Sequence, residues 1–276
     1  MRTGAASRAP MRRILVALDA SRASRAALES AAFLAAREGA LLEGLFVEDV
    51  DLLRTAALPF AGQVALPAGL PLPSASILPD LQALASRARA ELEGAASARR
   101  LRWSFRVARG RMAVEVVAAA LEADLLVLGR GRGIGAGPSP GATAATAAAR
   151  ATSPVLLTLE EAAEALPLLV AWDGSEGAEA ALDLALRLSG SGARAPGLLV
   201  ASEGHAAAEG LAAAAAARAG QALRWRWIGG STPGDLRRAA PARSVLVVGT
   251  SSPVAGGPAG LERLLADARC PILLAR

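Results

Sequence analysis

The chain has 276 residues, of which 53% are hydrophobic and 20% charged, a balance typical of a globular protein with a buried core. Its apolar runs are too short for a membrane span or a signal-peptide core, and its one cysteine excludes an internal disulfide and any multi-cysteine metal site. We therefore expect a cytoplasmic protein with no membrane partner and no metal of its own.

The net charge of +5 would suit a nucleic-acid ligand, but the distribution of the basic residues argues against one. The chain contains no lysine, and its arginines are scattered and usually stand beside acidic residues, as in Arg37-Glu38 and Glu262-Arg263. No motif combines aromatic and basic residues for stacking on bases. We expect no nucleic-acid partner.

In chain order, short apolar runs alternate with helical patterns twice over. The first half has predicted strands near 13–18, 41–48, 101–108, 124–129 and 154–159, with helices near 21–38, 76–98, 111–122 and 141–151. The second half has predicted strands near 167–172, 196–201, 223–228, 244–249 and 271–275, again with helices between them. Buried strands that alternate with helices predict an α/β fold with a doubly wound, five-stranded parallel sheet in each half.

Three landmarks recur in the same order in both halves and indicate an internal duplication. The matched segments are 14–21 with 168–175, 124–129 with 244–249, and 153–157 with 270–274. The first half is longer between its first two landmarks, where an aperiodic stretch at about 50–75 predicts a long loop. We therefore predict two domains in tandem, at 11–160 and 166–276, with a linker between them.

The last strand of each half would leave an apolar sheet edge if it stayed unpaired. Because a short linker raises the effective concentration of the two halves for each other, we expect them to form an internal pseudo-dimer. A homodimer through another face stays open, since the leucine-rich stretch 58–72 is apolar.

Asp19 and Asp173 each follow a predicted first strand directly and precede a serine by two residues. In a doubly wound sheet the ligand binds at the carboxyl ends of the strands, so either carboxylate is placed to accept hydrogen bonds from a nucleotide. The same carboxylates could instead cap the following helix together with Ser21 or Ser175. The sequence leaves both interpretations open.

A glycine-rich stretch, residues 129–143, runs from the end of a predicted strand to the start of an alanine-rich helix. Glycines allow backbone N–H groups to close around phosphate oxygens, and a helix N-terminus favours negative charge. Arg130 and Arg132 would add positive charge. The alternative is a flexible surface loop, and the stretch is not a P-loop because it lacks the Gly-Lys-Ser/Thr step.

Together these features resemble the universal stress protein family, with two family domains in one chain. Each half starts with Val-Ala-x-Asp-small-Ser, at 16–21 and 170–175, and ends with Pro-Val/Ile-Leu-Leu, at 154–157 and 271–274. The first half also has the strand Ala-Asp-Leu-Leu-Val-Leu-Gly at 123–129, followed by the glycine-rich loop 129–143. The resemblance rests on these motifs. It implies a Rossmann-like, adenine nucleotide alpha-hydrolase-like fold in each half. It also implies a stress-associated regulatory protein that binds ATP or another adenine nucleotide. Because single-domain members of the family pair through their final strands, the resemblance further implies that residues 155–159 pair with residues 272–274 within this chain.

Carried onto this sequence, the family's nucleotide site implies a set of binding residues in the first half. They are Asp19, the backbone near Val47, and the loop residues Gly129, Arg130, Gly131, Arg132, Gly141, Ala142 and Thr143. Nucleotide-binding members carry Gly-x2-Gly-x9-Gly-Ser/Thr in this loop. Here Arg132 stands at the second glycine, and Ala142 stands where Ser or Thr is usual.

The second half departs further from that pattern. Ser252 replaces the second glycine, and Pro258-Ala259 falls on the Gly-Ser step, where proline cannot donate a backbone hydrogen bond to phosphate. We therefore expect nucleotide in the first half only. The alternatives are a ligand-free structural or partner-binding module and a nucleotide-hydrolysing enzyme, although the sequence shows no catalytic base or metal-binding acids for the latter.

The remaining candidates have ordinary structural explanations. His205 is the only histidine and has no second member for a triad or a metal site, so we expect it at the surface. Trp103, Trp225 and Trp227 lie on predicted third strands and are expected to pack in the core or on a sheet face. Cys270 is expected to be a buried small residue rather than a nucleophile.

Overall fold

The computed structural model describes residues 10–50, 77–130, 146, 149–190 and 194–276. The predicted long loop near 50–75 and the glycine-rich loop beyond Arg130 fall almost wholly outside these residues. The fourth predicted helix of the first half, at 141–151, also lies mainly outside them. The described chain contains the other predicted strands and helices, with ends that differ by one or two residues.

The strands are β1 (Arg13–Leu18), β2 (Leu41–Asp49), β3 (Trp103–Gly110), β4 (Leu125–Gly129), β5 (Val155–Thr158), β6 (Leu168–Trp172), β7 (Gly197–Val200), β8 (Trp225–Trp227), β9 (Val245–Gly249) and β10 (Ile272–Ala275). The helices are α1 (Arg22–Glu38), α2 (Ile77–Ala98), α3 (Met112–Ala120), α4 (Glu176–Ser189), α5 (His205–Ala219), α6 (Pro233–Ala239) and α7 (Gly257–Asp267), and one 3-10 turn spans Pro253–Ala255.

The strands form one ten-stranded sheet in the order β3-β2-β1-β4-β5-β10-β9-β6-β7-β8. Within each half the neighbouring strands are parallel, and both halves have the same doubly wound order. Between the halves, β5 and β10 pair antiparallel, with Leu156 opposite Leu273. The predicted pairing of the two final strands within one chain is confirmed.

Two apolar layers cover the two faces of this sheet. Helices α1, α2, α4 and α5 pack on one face, and α3, α6 and α7 pack on the other. Both layers continue across the join between β5 and β10, because Leu156 and Leu273 belong to the first layer while Leu157 and Ile272 belong to the second. The inner strands read as continuous apolar runs because they are covered on both faces, whereas the edge strands β3 and β8 carry exposed residues.

Polar contacts hold the linker between the halves against the first helix. The buried Ser30 hydroxyl donates to the Ala26 carbonyl at 2.8 Å and accepts from the Ala163 N–H at 2.8 Å. Arg99, which follows α2, forms ion pairs with Glu29 at 3.0 Å and with Glu164 at 2.6 Å. The linker is therefore bonded to both long helices of the first half.

In both halves the fourth strand ends on a glycine that touches the first helix. A Cβ added to Gly129 would lie 2.4 Å from the Ala23 carbonyl, and one added to Gly249 would lie 1.9 Å from the Gly177 carbonyl oxygen. No side chain fits at either distance. These glycines let the helix start close over the carboxyl end of the sheet.

We predict that Gly249→Ala lowers the free energy of unfolding by about 1–3 kcal/mol, because the added methyl overlaps the Gly177 backbone. Gly210→Ala is the matched control: Gly210 lies within α5, where an added Cβ meets no heavy atom within 4 Å, and the change should stabilise by about 0.5–1 kcal/mol. Urea unfolding followed by circular dichroism measures both. A Gly249→Ala variant as stable as the parent would contradict the packing role.

Candidate functional site

The candidate site lies at the carboxyl ends of β2, β1 and β4. The chain leaves β1 toward β2 on one side, while β4 pairs with β1 on the other, so the strand order reverses here and a crevice opens. The structure brings Asp19, Val47, Gly129 and Arg130 to this edge. The other predicted loop residues, namely Gly131, Arg132, Gly141, Ala142 and Thr143, lie outside the described residues.

Asp19 uses one carboxylate oxygen to shape the turn into α1. Its Oδ1 accepts the Ser21 N–H at 2.9 Å, and the Ser21 hydroxyl in turn caps the helix by accepting the Ser24 N–H at 3.1 Å. Within the described part of the chain, its Oδ2 accepts no hydrogen bond. The half-buried carboxylate therefore supports the helix start, and one of its oxygens receives no donor from the residues that the structure describes.

Val47 lies where β2 continues past the end of β1. The pairing between β1 and β2 ends at Phe46, whereas Val47 still pairs with Ala108 of β3. Its side chain is buried in the core under α3. The Val47 backbone therefore has a neighbouring strand on one side only and borders the crevice on the other.

Gly129 and Arg130 end β4, and both have structural contacts. The close approach of Gly129 to α1 explains this glycine without any ligand. The Arg130 N–H donates to the Thr158 carbonyl at 2.8 Å, and its guanidinium Nη2 donates to the Ala268 carbonyl, at the end of α7, at 2.5 Å. This contact turns the guanidinium toward the second half, and a phosphate contact by Arg130 stays a prediction.

The equivalent carboxylate of the second half, Asp173, is fully engaged. Its Oδ1 accepts the Ser175 N–H at 3.0 Å and the Ser175 hydroxyl at 2.5 Å. Its Oδ2 accepts the Ser252 hydroxyl at 2.6 Å and the Val254 N–H at 3.1 Å. Asp173 thus links the start of α4 to the segment that follows β9.

These contacts set the ionisation of Asp173. Burial by itself raises the pKa of this carboxyl, but hydrogen bonds from the Ser175 and Ser252 hydroxyls and from the Ser175 and Val254 N–H groups outweigh it. The net effect is a pKa below the ordinary value of 3.8. The ionised form therefore stabilises the fold.

The segment after β9 packs tightly over this second crevice. A Cβ added to Gly177 would lie 2.5 Å from the Ser252 nitrogen, and one added to Gly260 would lie 2.4 Å from the Ala255 carbonyl oxygen. The glycines of this segment therefore allow backbone to approach backbone. In the sequence, Ser252 stands out only as a departure from the glycine pattern, and no local motif predicts its bond to Asp173, 79 positions away.

The other candidates lie away from both crevices. His205 begins α5 with an exposed side chain, as predicted, and its ring lies 5.6 Å from that of Trp225 and 5.8 Å from that of Trp227. Both tryptophans lie on the edge strand β8 and are more than a third exposed, because β8 has no strand beyond it. Of the two predicted positions, core and sheet face, they take the sheet face. Cys270 is buried, and burial raises the pKa of its thiol.

Three further observations limit the chemistry of the described residues. None of their acidic, histidine or cysteine side chains form a group of three or more that would hold a metal ion. None of the helices in these ranges is long and apolar enough to cross a membrane. A cavity of about 490 Å³ lies at the amino ends of β1 and β2, beside Arg12 and Arg102, on the opposite edge of the sheet from Asp19.

Comparison with known proteins gives a family match and structural neighbours. The model of the "Universal stress protein family" matches residues 10–158, which is more than half of the chain. Among curated proteins no relative matches this chain. A universal stress protein from Archaeoglobus fulgidus DSM 4304 shares 16% identity and superposes with a TM-score of 0.64 over 96% of each chain. This likeness shows the tandem fold over nearly the full length.

Two shorter neighbours each match about half of this chain. The universal stress protein UspA from Lactobacillus plantarum is 22% identical, covers 54% of this chain and 99% of its own, and has a TM-score of 0.38. A universal stress protein solved in complex with cAMP is 18% identical, covers 55% of this chain and 100% of its own, and has a TM-score of 0.36.

We predict that Asp173→Ala lowers the free energy of unfolding by about 1–3 kcal/mol at neutral pH, because it removes the acceptor of four hydrogen bonds. A double-mutant cycle with Ser252→Ala should show positive coupling of about 0.5–3 kcal/mol. Asp19→Ala is the matched control. Asp19→Ala removes the acceptor of one hydrogen bond among the described residues, so it should lower the free energy of unfolding by less than Asp173→Ala does.

The stabilisation of the fold by Asp173 should decrease in acid. Because the pKa of Asp173 is lower in the folded state, its contribution is complete above 3.8 and is lost as the pH falls through the folded-state pKa. The stability difference between the parent and Asp173→Ala should therefore be constant near neutrality and shrink in acid. A difference that grows in acid would contradict the assigned contacts.

Proposed function

This chain belongs to the universal stress protein family, and we propose that it is a regulatory binding protein that takes ATP or another adenine nucleotide in its first half only. The observation that carries the proposal is the difference between two equivalent carboxylates. Among the described residues, Asp19 keeps one oxygen for a donor, whereas both oxygens of Asp173 are satisfied from within the chain.

In the first half, the residues present suit a nucleotide. Asp19 Oδ2 is placed to accept a hydrogen bond from an adenine amino group or a ribose hydroxyl. The backbone at Val47, which lacks a strand on its crevice side, offers a further polar contact. From the sequence, the loop 129–143 and the helix start that follows it would receive the phosphates.

In the second half, a nucleotide would have to compete with the protein itself. To reach Asp173, it would have to displace the Ser252 hydroxyl and the Val254 N–H, and each freed group would need a new partner. The segment would also have to move away from Gly177, which it touches at backbone distance. We propose that this half serves structure and that the two halves are separate evolutionary domains, at 11–160 and 166–276.

We also propose that the chain is not an enzyme. A Cys-His nucleophile pair would need the chain's one cysteine and one histidine to meet, and no hydrogen bond joins Cys270 to His205 in the structure. The cysteine is buried with a raised pKa, and the histidine lies against two tryptophans on the far side of the second half. A lone thiol also suits a reducing cytoplasm, which is the compartment we propose.

Calorimetric titration with ATP should give one site per chain. Asp19→Ala should weaken binding by about tenfold or more, because a ligand donor loses a charged acceptor. Asp173→Ala, the equivalent change in the second half, should leave the affinity unchanged. Circular dichroism of both variants checks that each one folds. Two equal sites, or a loss of binding with Asp173→Ala alone, would overturn the assignment to the first half.

ATP incubated with the purified chain should be hydrolysed no faster than in buffer, because no described group is placed to activate water. Release of phosphate measured by a coupled assay tests this expectation. A parallel sample of Asp19→Ala separates true turnover from a contaminating phosphatase. Turnover that disappears in this variant would contradict a purely binding role.

A further inference from the structure

An apolar stripe runs along the outer face of α3. Val114 is 55% exposed and Leu121 is 65% exposed, and Ala118 between them is also exposed. Leu121 is the C-cap residue of α3 and still has helical dihedral angles. Val114, Ala118 and Leu121 are spaced by four and three residues, so they lie on one face of the helix over about 10 Å. From Met112 to Leu121 the single charged residue is Glu115.

The second half provides an internal comparison. Its helix α6 is the counterpart of α3: Val116 and Leu236 each lie nine residues before the following strand, and both are fully buried. In this register Arg238 of α6 matches Ala118 of α3, and it is exposed. The helix that faces water in the second half therefore carries an arginine where α3 carries alanine. The fold itself does not require the apolar stripe.

The charges at the two ends of the stripe are opposite. Arg111 directly precedes α3, and Glu122 follows the residue that caps its carboxyl end. Glu122 forms a 2.9 Å ion pair with Arg13, but its side chain is 68% exposed, and such surface pairs contribute little. A surface that is positive at one end, apolar in the middle and negative at the other complements its own antiparallel copy.

We propose that two copies of this chain associate through the α3 stripe about a two-fold axis. The axis passes near Ala118, whose small side chain lets the helices approach closely. Val114 of each copy then packs against Leu121 of the other, and Arg111 of each copy faces Glu122 of the other. This contact uses the outer face of α3, whose inner face covers β2, and it involves neither the β5–β10 join nor the side chain of Asp19.

The predicted association is weak and reversible. One pair of nine-residue helices buries less surface than a stable dimer, which needs at least about 1,200 Å² in total. We therefore expect a dissociation constant of roughly micromolar to hundreds of micromolar. The dimer should appear as the chain is concentrated and disappear on dilution.

Sedimentation equilibrium of the full chain over a wide concentration range tests the proposal. Ala118→Arg, which installs the residue found at the matching position of α6, should raise the dissociation constant by about tenfold or more. Arg238→Ala, the reverse change in the second half, is the matched control and should leave it unchanged. Urea unfolding establishes that both variants fold.

Charge reversal tests the antiparallel arrangement. Arg111→Glu and Glu122→Arg should each weaken the dimer, and the double variant should recover most of the parent affinity, because both symmetric pairs are restored. A chain that stays monomeric at every concentration would overturn the proposal, as would a dimer insensitive to Ala118→Arg. A monomer destabilised by Ala118→Arg would show that the chain's own residues cover the stripe, which also overturns it.

Discussion

The antiparallel pairing of β5 with β10 is the contact on which the rest of this architecture depends. Each half ends its sheet on a short apolar strand, and the fold hides both edges at once by joining them. Because Leu156 and Leu273 belong to one apolar layer and Leu157 and Ile272 to the other, the join lies inside both cores. The two repeats therefore share one sheet and two common core layers.

This joining leaves the carboxyl ends of the first and fourth strands free in each repeat, and there the repeats differ. Both keep the same turn, in which an aspartate accepts the N–H of the serine two residues on, and that serine caps the next helix. The residue between them has a left-handed backbone in both halves, at Ala20 and Gly174. The turn belongs to the fold, so by itself it identifies no ligand.

What distinguishes the repeats is where the second aspartate oxygen finds its donor. In the second half the donors are Ser252 and Val254, from the same chain. In the first half the described residues supply none to Asp19. The segment after β9 thus supplies from within the chain the donors that an aspartate at this position can accept. The bonds at Asp173 then become part of the stability of the fold.

The sequence by itself determined the repeat, the alternation of strands and helices, and the parallel sheets. These features follow from local patterns: apolar runs at strand length, Asp-x-Ser helix starts and the three repeated landmarks. The first strand was predicted at residues 13–18 and lies at Arg13–Leu18. Such signals are read within a few residues and need no knowledge of distant contacts.

The tertiary structure alone decided how the functional residues are used. Ser252 and Asp173 are 79 positions apart, and Arg130 reaches the carbonyl of Ala268 across 138 positions, so no local pattern announces either bond. Gly129 looked like part of a phosphate loop, yet its place against Ala23 also requires a glycine. The exposure of Trp225 and Trp227 depended on β8 being the last strand of the sheet. Strand order and long-range hydrogen bonding fix these roles, because they set which groups meet and which are left for a ligand.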